Sequence, residues 1–236
     1  FSTAFAYAER GIQVARESHN PFAEAATNQY RGFVRDQHGD WAQAINDYEN
    51  ARRIAASAGD IFRVYIVKYY EGQACTIGGD PARGRVLLEE SLDLAAKIGT
   101  KFGLAYQKAY LAGSLLALGE LNGVLPLCEE AIPLAEEAGD KWIKALALRT
   151  LAEAVSRLDP SNRQEAERAV LEAIQIQREI GAKPELGRTY ASYARLLRAW
   201  GEKQRDNETL TQAIGMFQEM GMAWDLERAE QALREV

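Results

Sequence analysis

One spacing constrains this chain more than any other feature. Glu49–Asp60 ("ENARRIAASAGD"), Glu89–Thr100 ("EESLDLAAKIGT") and Glu129–Asp140 ("EEAIPLAEEAGD") lie 40 residues apart and match in register. Acid, small residue, aliphatic, alanine and glycine fall at the same places each time. After a two-residue insertion, "EAIQIQREIGA" (172–182) and "QAIGMFQEMGM" (212–222) continue the series. The recurring glycines are Gly59, Gly99, Gly139, Gly181 and Gly221; in the N-terminal "ERGIQVARESHN", His19 stands in that slot. A unit of this length cannot hide its own apolar face, so its neighbours must stack against it.

A second set of corners lies half a period away, at Gly39, Gly79, Gly119 and Gly201, with Pro160 marking the break in the fourth unit. This decides how to read residues 76–85, "TIGGDPARGR", where three glycines, two arginines and a proline crowd as in a phosphate-cradling loop. The stretch lacks a Gly-Lys-Ser/Thr ending and the dinucleotide glycine spacing. It also occupies the same slot as corners with no such chemistry. Glycine there supplies the left-handed backbone that ends a helix, and the acid beside it suits the next helix start. A turn is expected.

Between corners every segment reads as helix. "LLEESLDLAAKI" and "AERAVLEAIQIQREI" carry apolar residues at i, i+3, i+4 and i+7. Pro126 suits a first helical turn, whereas Pro133 falls inside a helix and should bend it or cost it a hydrogen bond. The expected organisation is helix pairs over 20–59, 60–99, 100–139, 140–181 and 182–221. A lone second helix (1–19) precedes them and a lone first helix (222–236) follows, about twelve helices in all. Together they form one all-α solenoid over 1–236.

Small residues recur where helices of a pair must cross: Gly32, Gly72, Ala112, Ala152 and Ala194 in first helices, Ala51, Ser91, Ala131, Ala173 and Ala213 in second ones. The early small slot of the second helix holds Ala44, Gly84 and Ala166 but becomes Val124 and Asp206. This pattern, with glycine at both turns, resembles the tetratricopeptide repeat, although that family's usual period is 34 residues. HEAT and armadillo repeats share the longer period and are the minority reading. The resemblance implies a right-handed superhelix whose concave face binds a protein segment. Long units of this kind, ending in "GMAWDLERAEQALREV", are similar to C-terminal regions of large bacterial signalling proteins, among them ATPase-containing transcription activators and nucleotide cyclases.

Composition narrows the partners. A net charge of -6 argues against direct nucleic-acid binding. No apolar run approaches a membrane span. Cys75 and Cys128 are the only cysteines, far apart in helical patterns, which excludes a disulfide framework and suits a reducing cytoplasm. With neither an initiator Met nor a leader at "FSTAFAYAER", the chain is expected to be a piece of a longer protein.

Little in the residue inventory suggests catalysis. His19 and His38 each sit beside a helix end, neither in a metal-type spacing, and no nucleophile or metalloprotease motif occurs. Adjacent acids such as Glu89-Glu90 and Glu136-Glu137 diverge by about 100° on a helix, which makes them solvated face rather than a paired acid and base. No enzyme activity, cofactor or metal is expected.

Two features bear on binding. An aromatic recurs near the start of each first helix, as Phe22, Phe62, Phe102, Trp142 and Trp224, with Pro184 in the fifth unit. Packing on the preceding helix is its expected role; a stacking ladder for a peptide is the alternative. Carrying the family's groove positions onto this chain gives Arg149, Glu153 and Arg157 in the fourth unit, and Arg188, Arg195 and Arg198 in the fifth. Those arginines form a candidate strip for a carboxylate or acidic peptide, unless Glu153 and Arg195 pair across neighbouring helices. A small-molecule sensor would instead line an apolar pocket with Tyr69, Tyr106 and Trp142. A pure assembly element would self-associate through its open ends.

Overall fold

The computed structural model describes residues 1–234. Among these residues the chain forms twelve α-helices and no strand. They are α1 (Ser2–Glu17), α2 (Pro21–His38), α3 (Trp41–Ser57), α4 (Ile61–Ile77), α5 (Pro81–Ile98), α6 (Leu104–Leu118), α7 (Val124–Glu137), α8 (Lys141–Leu158), α9 (Arg163–Glu179), α10 (Lys183–Ala199), α11 (Lys203–Met220) and α12 (Ala223–Arg234). A short 3-10 turn at Leu121–Gly123 precedes α7. Each half-period of the repeat thus holds one helix.

The chain divides into two compact units, residues 1–118 with α1 to α6 and residues from 119 onward with α7 to α12. Within each unit every helix packs on its sequence neighbours. First helices of successive pairs also touch, α2 on α4 and α4 on α6 in one unit, α8 on α10 in the other.

The small-residue slots explain how the paired helices approach. A Cβ added to Gly32 would lie 2.8 Å from the Tyr48 ring, and one added to Gly72 would lie 2.7 Å from Leu88 Cγ and 3.0 Å from the Gly84 carbonyl oxygen. In the second unit the same slots are filled by Ala131, Ala152, Ala173 and Ala213, each fully buried. Interiors packed at crystal-like density leave no room for a larger residue there.

Both sets of corner glycines adopt positive φ, and His19, in the glycine slot, does so too at φ 51°. The stretch 76–85 is such a corner. Gly79 turns the chain at φ 108°, the Asp80 side chain accepts the Arg83 amide at 3.0 Å to cap α5, and Pro81 takes the first helical position. Arg83, the side chain that a phosphate would need, is already bound to Glu71 at 2.8 Å and to Glu49. Pro126 lies in the first turn of α7 and Pro133 inside it. Among the described residues no helix is long and apolar enough to cross a membrane.

Candidate functional site

The arginines expected to line a groove are consumed by internal pairing in the second unit. Glu185 of α10 accepts from Arg149 of α8 at 2.8 Å and from Arg188 at 2.6 Å. Arg188, itself buried, holds Asp225 of α12 through Nε at 3.0 Å and Nη2 at 3.1 Å. Glu153 of α8 accepts from Arg195 of α10 at 2.8 Å, from Arg157 at 3.3 Å and from the Ser192 hydroxyl. Arg198 donates to Asp206 of α11 at 2.8 Å. Burial pushes the Glu185 carboxyl up, but Arg149 and Arg188 outweigh it and hold the group below the ordinary carboxylate range. Glu153 is held low in the same way, against burial, by Arg195 and Ser192.

The expected arginine strip is thus taken up by ion pairs: Arg149, Arg188 and Arg195 join successive first helices, Arg157 pairs with Glu153 on its own helix, and Arg198 joins α10 to α11. The reason is the repeat itself. Glu153 and Arg195 occupy equivalent positions on α8 and α10, and stacking brings equivalent positions together. Asp206, which breaks the small-residue rule, is fully buried because Arg198 reaches across to it.

In the first unit aromatic rings occupy the corresponding space. Tyr69 of α4 is buried, with its ring centroid 5.7 Å from that of Tyr65, 4.6 Å from Tyr70, 5.8 Å from Tyr106 and 6.3 Å from Tyr110. Burial pushes the Tyr69 phenol well above its ordinary value, so it stays neutral. Tyr69 and Tyr106 thus belong to a packed tyrosine core, while Trp142 lies in the other unit, half-buried near the start of α8.

The recurrent aromatics of the first unit are not core, contrary to expectation. Phe22, Phe62 and Phe102 are 53%, 44% and 61% exposed. The Phe62 ring lies 5.7 Å from that of Phe102 and 5.5 Å from that of Tyr65. Phe22 and Phe62 stand in the first turn of α2 and α4 and Phe102 just before α6, whereas Ala25, Tyr65 and Ala105, three residues later in each case, take the buried place.

The start of α6 departs from those of α4 and α8, and α10, preceded by Ala182, also lacks a side-chain cap. Asp60 and Asp140 cap α4 and α8 through the amides of Arg63 and Ile143, at 2.9 and 3.1 Å. The matching slot before α6 holds Thr100, whose hydroxyl accepts the Phe102 amide instead. The helix begins only at Leu104, after Gly103 at φ 75°. The Ala105 amide, in its first turn, has no acceptor.

Against this helix start lies the hydroxyl of Tyr65. A Cβ on Gly103 would lie 2.9 Å from it. Tyr65 is fully buried, and its hydroxyl has no hydrogen-bond partner. Burial pushes that phenol up to about 12, which keeps the proton on and the group a donor. Gln107, one turn into α6, donates to Ser91 Oγ at 2.7 Å, but its Oε1 is buried without a partner. Sequence reasoning missed Tyr65, Thr100 and Gly103. A signal was present in the aligned repeats, where Thr100 stands in the slot of Asp60 and Asp140.

The reactive side chains are otherwise occupied. Burial pushes the Cys75 thiol up to about 11 and the Cys128 thiol up to about 12, away from the thiolate. His38 bonds Asp40 at 3.1 Å and lies against the Phe1 ring at 4.8 Å. Among the described residues no group of three or more His, Cys, Asp or Glu could hold a metal ion.

No protein-family model matches the chain. Over 149 residues, 63% of the chain, it is 28% identical to proteins of Mycobacterium tuberculosis and Mycobacterium bovis whose provisional description is HTH-type transcriptional regulator. The chain spans only 17% of the length of those relatives. Over 115 residues, 42% of the chain and 46% of the relative, it is 36% identical to a type III pantothenate kinase of Methylobacillus flagellatus. Among solved structures it is similar to BtubC (BKLC) of P. vanneervenii, with TM-score 0.62 at 16% identity over 93% of this chain and 92% of that one. It is also similar to aspartyl phosphate phosphatase F of Bacillus subtilis, with TM-score 0.60 at 12% identity over 92% of this chain and 57% of that one. At such identities these likenesses establish an all-α helical fold shared along the chain.

Proposed function

We propose that the chain is a regulatory helical module of the tetratricopeptide kind, with no catalysis of its own. It would hold a protein segment on behalf of a longer bacterial protein in the cytoplasm. The similarity to part of the mycobacterial regulators supports the regulatory setting. The kinase similarity covers less than half of the chain, and both thiols are held in the unreactive form.

The observation that carries the binding role is the exposed row of Phe22, Phe62 and Phe102 in the first unit. Large apolar rings left in water at a repeated position mark a docking surface more often than a packing defect. Aromatic anchors of this size supply much of the energy in protein recognition. The arginines contribute to holding the second unit together rather than to this surface.

A displayed library of random 12-residue peptides tests the reading. Selection on the chain should enrich sequences that place an aromatic or aliphatic residue beside an acid, and Phe62→Ser with Phe102→Ser should abolish the enrichment while helicity stays unchanged. Enrichment that survives the double change removes this surface from consideration. No enrichment of any sequence removes the binding role.

A further inference from the structure

We propose that the start of α6 is a carboxylate site, which takes an Asp, Glu or chain-end carboxylate of the docked segment between the Phe62 and Phe102 rings. The inference rests on the docking role above and names the chemistry of what docks. It stands on geometry that the neighbouring repeats make legible. A helix start carries unsatisfied amides and the positive end of the helix dipole, so a carboxylate belongs there. At α4 and α8 the chain supplies it, through Asp60 and Asp140. At α6 it does not. Thr100 has no charge, its hydroxyl is spent on Phe102, and the Ala105 amide has no acceptor.

The second, independent observation is Tyr65. Its hydroxyl is fully buried, has no partner, and is aimed at Gly103 on the threshold of α6. An orphaned buried hydroxyl is costly unless something completes it. A carboxylate at this place accepts from Tyr65 and from Ala105 together. It reaches the hydroxyl by parting the two half-exposed rings, and exposed Lys101 adds positive charge at the approach. Gly103 keeps the threshold open, because any Cβ there would press on the Tyr65 oxygen at 2.9 Å. An apolar neighbour of the acid on the docked segment would rest on Phe62 and Phe102, whose rings lie 5.7 Å apart.

The test titrates 3-phenylpropionate into nitrogen-15-labelled chain at constant ionic strength, with 3-phenylpropionamide as the uncharged control. The acid should give saturable amide shifts centred on Gly103, Leu104 and Ala105, and the amide should not. Tyr65→Phe should weaken binding about tenfold, the worth of one hydrogen bond to a charged group. Lys101→Glu sets a like charge at the approach through an exposed side chain and should also weaken binding several-fold in a fully folded chain, so the test survives if Tyr65→Phe fails to fold. Equal shifts from acid and amide, shifts scattered over the basic surface, or unchanged affinity in Lys101→Glu would overturn the proposal. So would the absence of any saturable shift, which would leave Tyr65 satisfied by water alone. Peptide enrichment that persists without carboxylate binding removes only the α6 site. Carboxylate binding without peptide enrichment removes only the docking role.

Discussion

The two units solve one packing problem with different chemistry. In both, a pair of helices closes on small residues, Gly32 and Gly72 in the first unit, Ala152 and Ala194 in the second. What joins one first helix to the next then differs. Between α4 and α6 it is a tyrosine cluster, Tyr69 and Tyr70 against Tyr106 and Tyr110. Between α8, α10 and α12 it is ion pairs, Arg149 to Glu185, Arg195 to Glu153 and Arg188 to Asp225. The lesson is that the repeat dictates the approach of the backbones and leaves the side chains that bridge successive repeats open to change. The aromatic slot diverges in parallel. Phe22, Phe62 and Phe102 stand exposed, whereas Trp224 lies beneath the Arg228 guanidinium at 4.6 Å and Pro184 replaces the ring altogether.

The largest effect expected from breaking this contrast is on the ionic side. Glu185→Leu leaves Arg149 and Arg188 facing each other in a buried place, and urea unfolding should show a loss of about 3–5 kcal/mol. A loss below about 1 kcal/mol would mean that the pairs do not join the helices. Tyr69→Ala should cost a comparable ~3–5 kcal/mol in the first unit, through a cavity rather than a stranded charge.

The shared feature comes next. Gly72→Val and Ala152→Val both force bulk into a helix crossing, and each should cost about 1–3 kcal/mol by the same assay. A large difference between them would show that the units do not share one crossing geometry. Smaller still is Arg195→Ala. That side chain is 56% exposed, and Glu153 keeps Arg157 and Ser192, so a loss of about 1 kcal/mol or less is expected, shrinking in salt.

Much of the fold was legible because a repeat writes its geometry many times. The corner glycines, the small crossing residues and the helix pairs all follow from comparing units, down to His19 taking the left-handed backbone of a glycine. The stretch 76–85 could be read as a turn for the same reason, and Asp80 proved to be its cap. The site was harder to see. The arginines read as a strip because a single helix shows only its own charges, while their partners lie about 40 residues away, as Glu185 does from Arg149 and Asp225 from Arg188. Phe22, Phe62 and Phe102 read as core because periodicity reports the face of a helix and not how far along it the neighbour extends. Tyr65 carries no motif. Only Thr100, replacing an aspartate at the matching slot, pointed to the place where the chain leaves a helix start incomplete.

The contrast between the units also fixes how each responds to pH. Glu153 and Glu185 have depressed values when folded, so the stability they contribute is present above the unfolded carboxyl value near 4.5 and is lost as pH falls through the folded ones. Tyr48, Tyr65, Tyr69 and Tyr110 have raised values when folded, so their contribution is complete below the unfolded phenol value near 10.0 and is lost as pH rises above it. Residue-resolved hydrogen exchange from acid to alkaline pH, corrected for the intrinsic exchange rate, measures both at once. Protection should fail first in α8 and α10 on the acid side and first in α4 and α6 on the alkaline side. Loss in the same order at both extremes would contradict the division between ionic and aromatic contacts joining successive first helices.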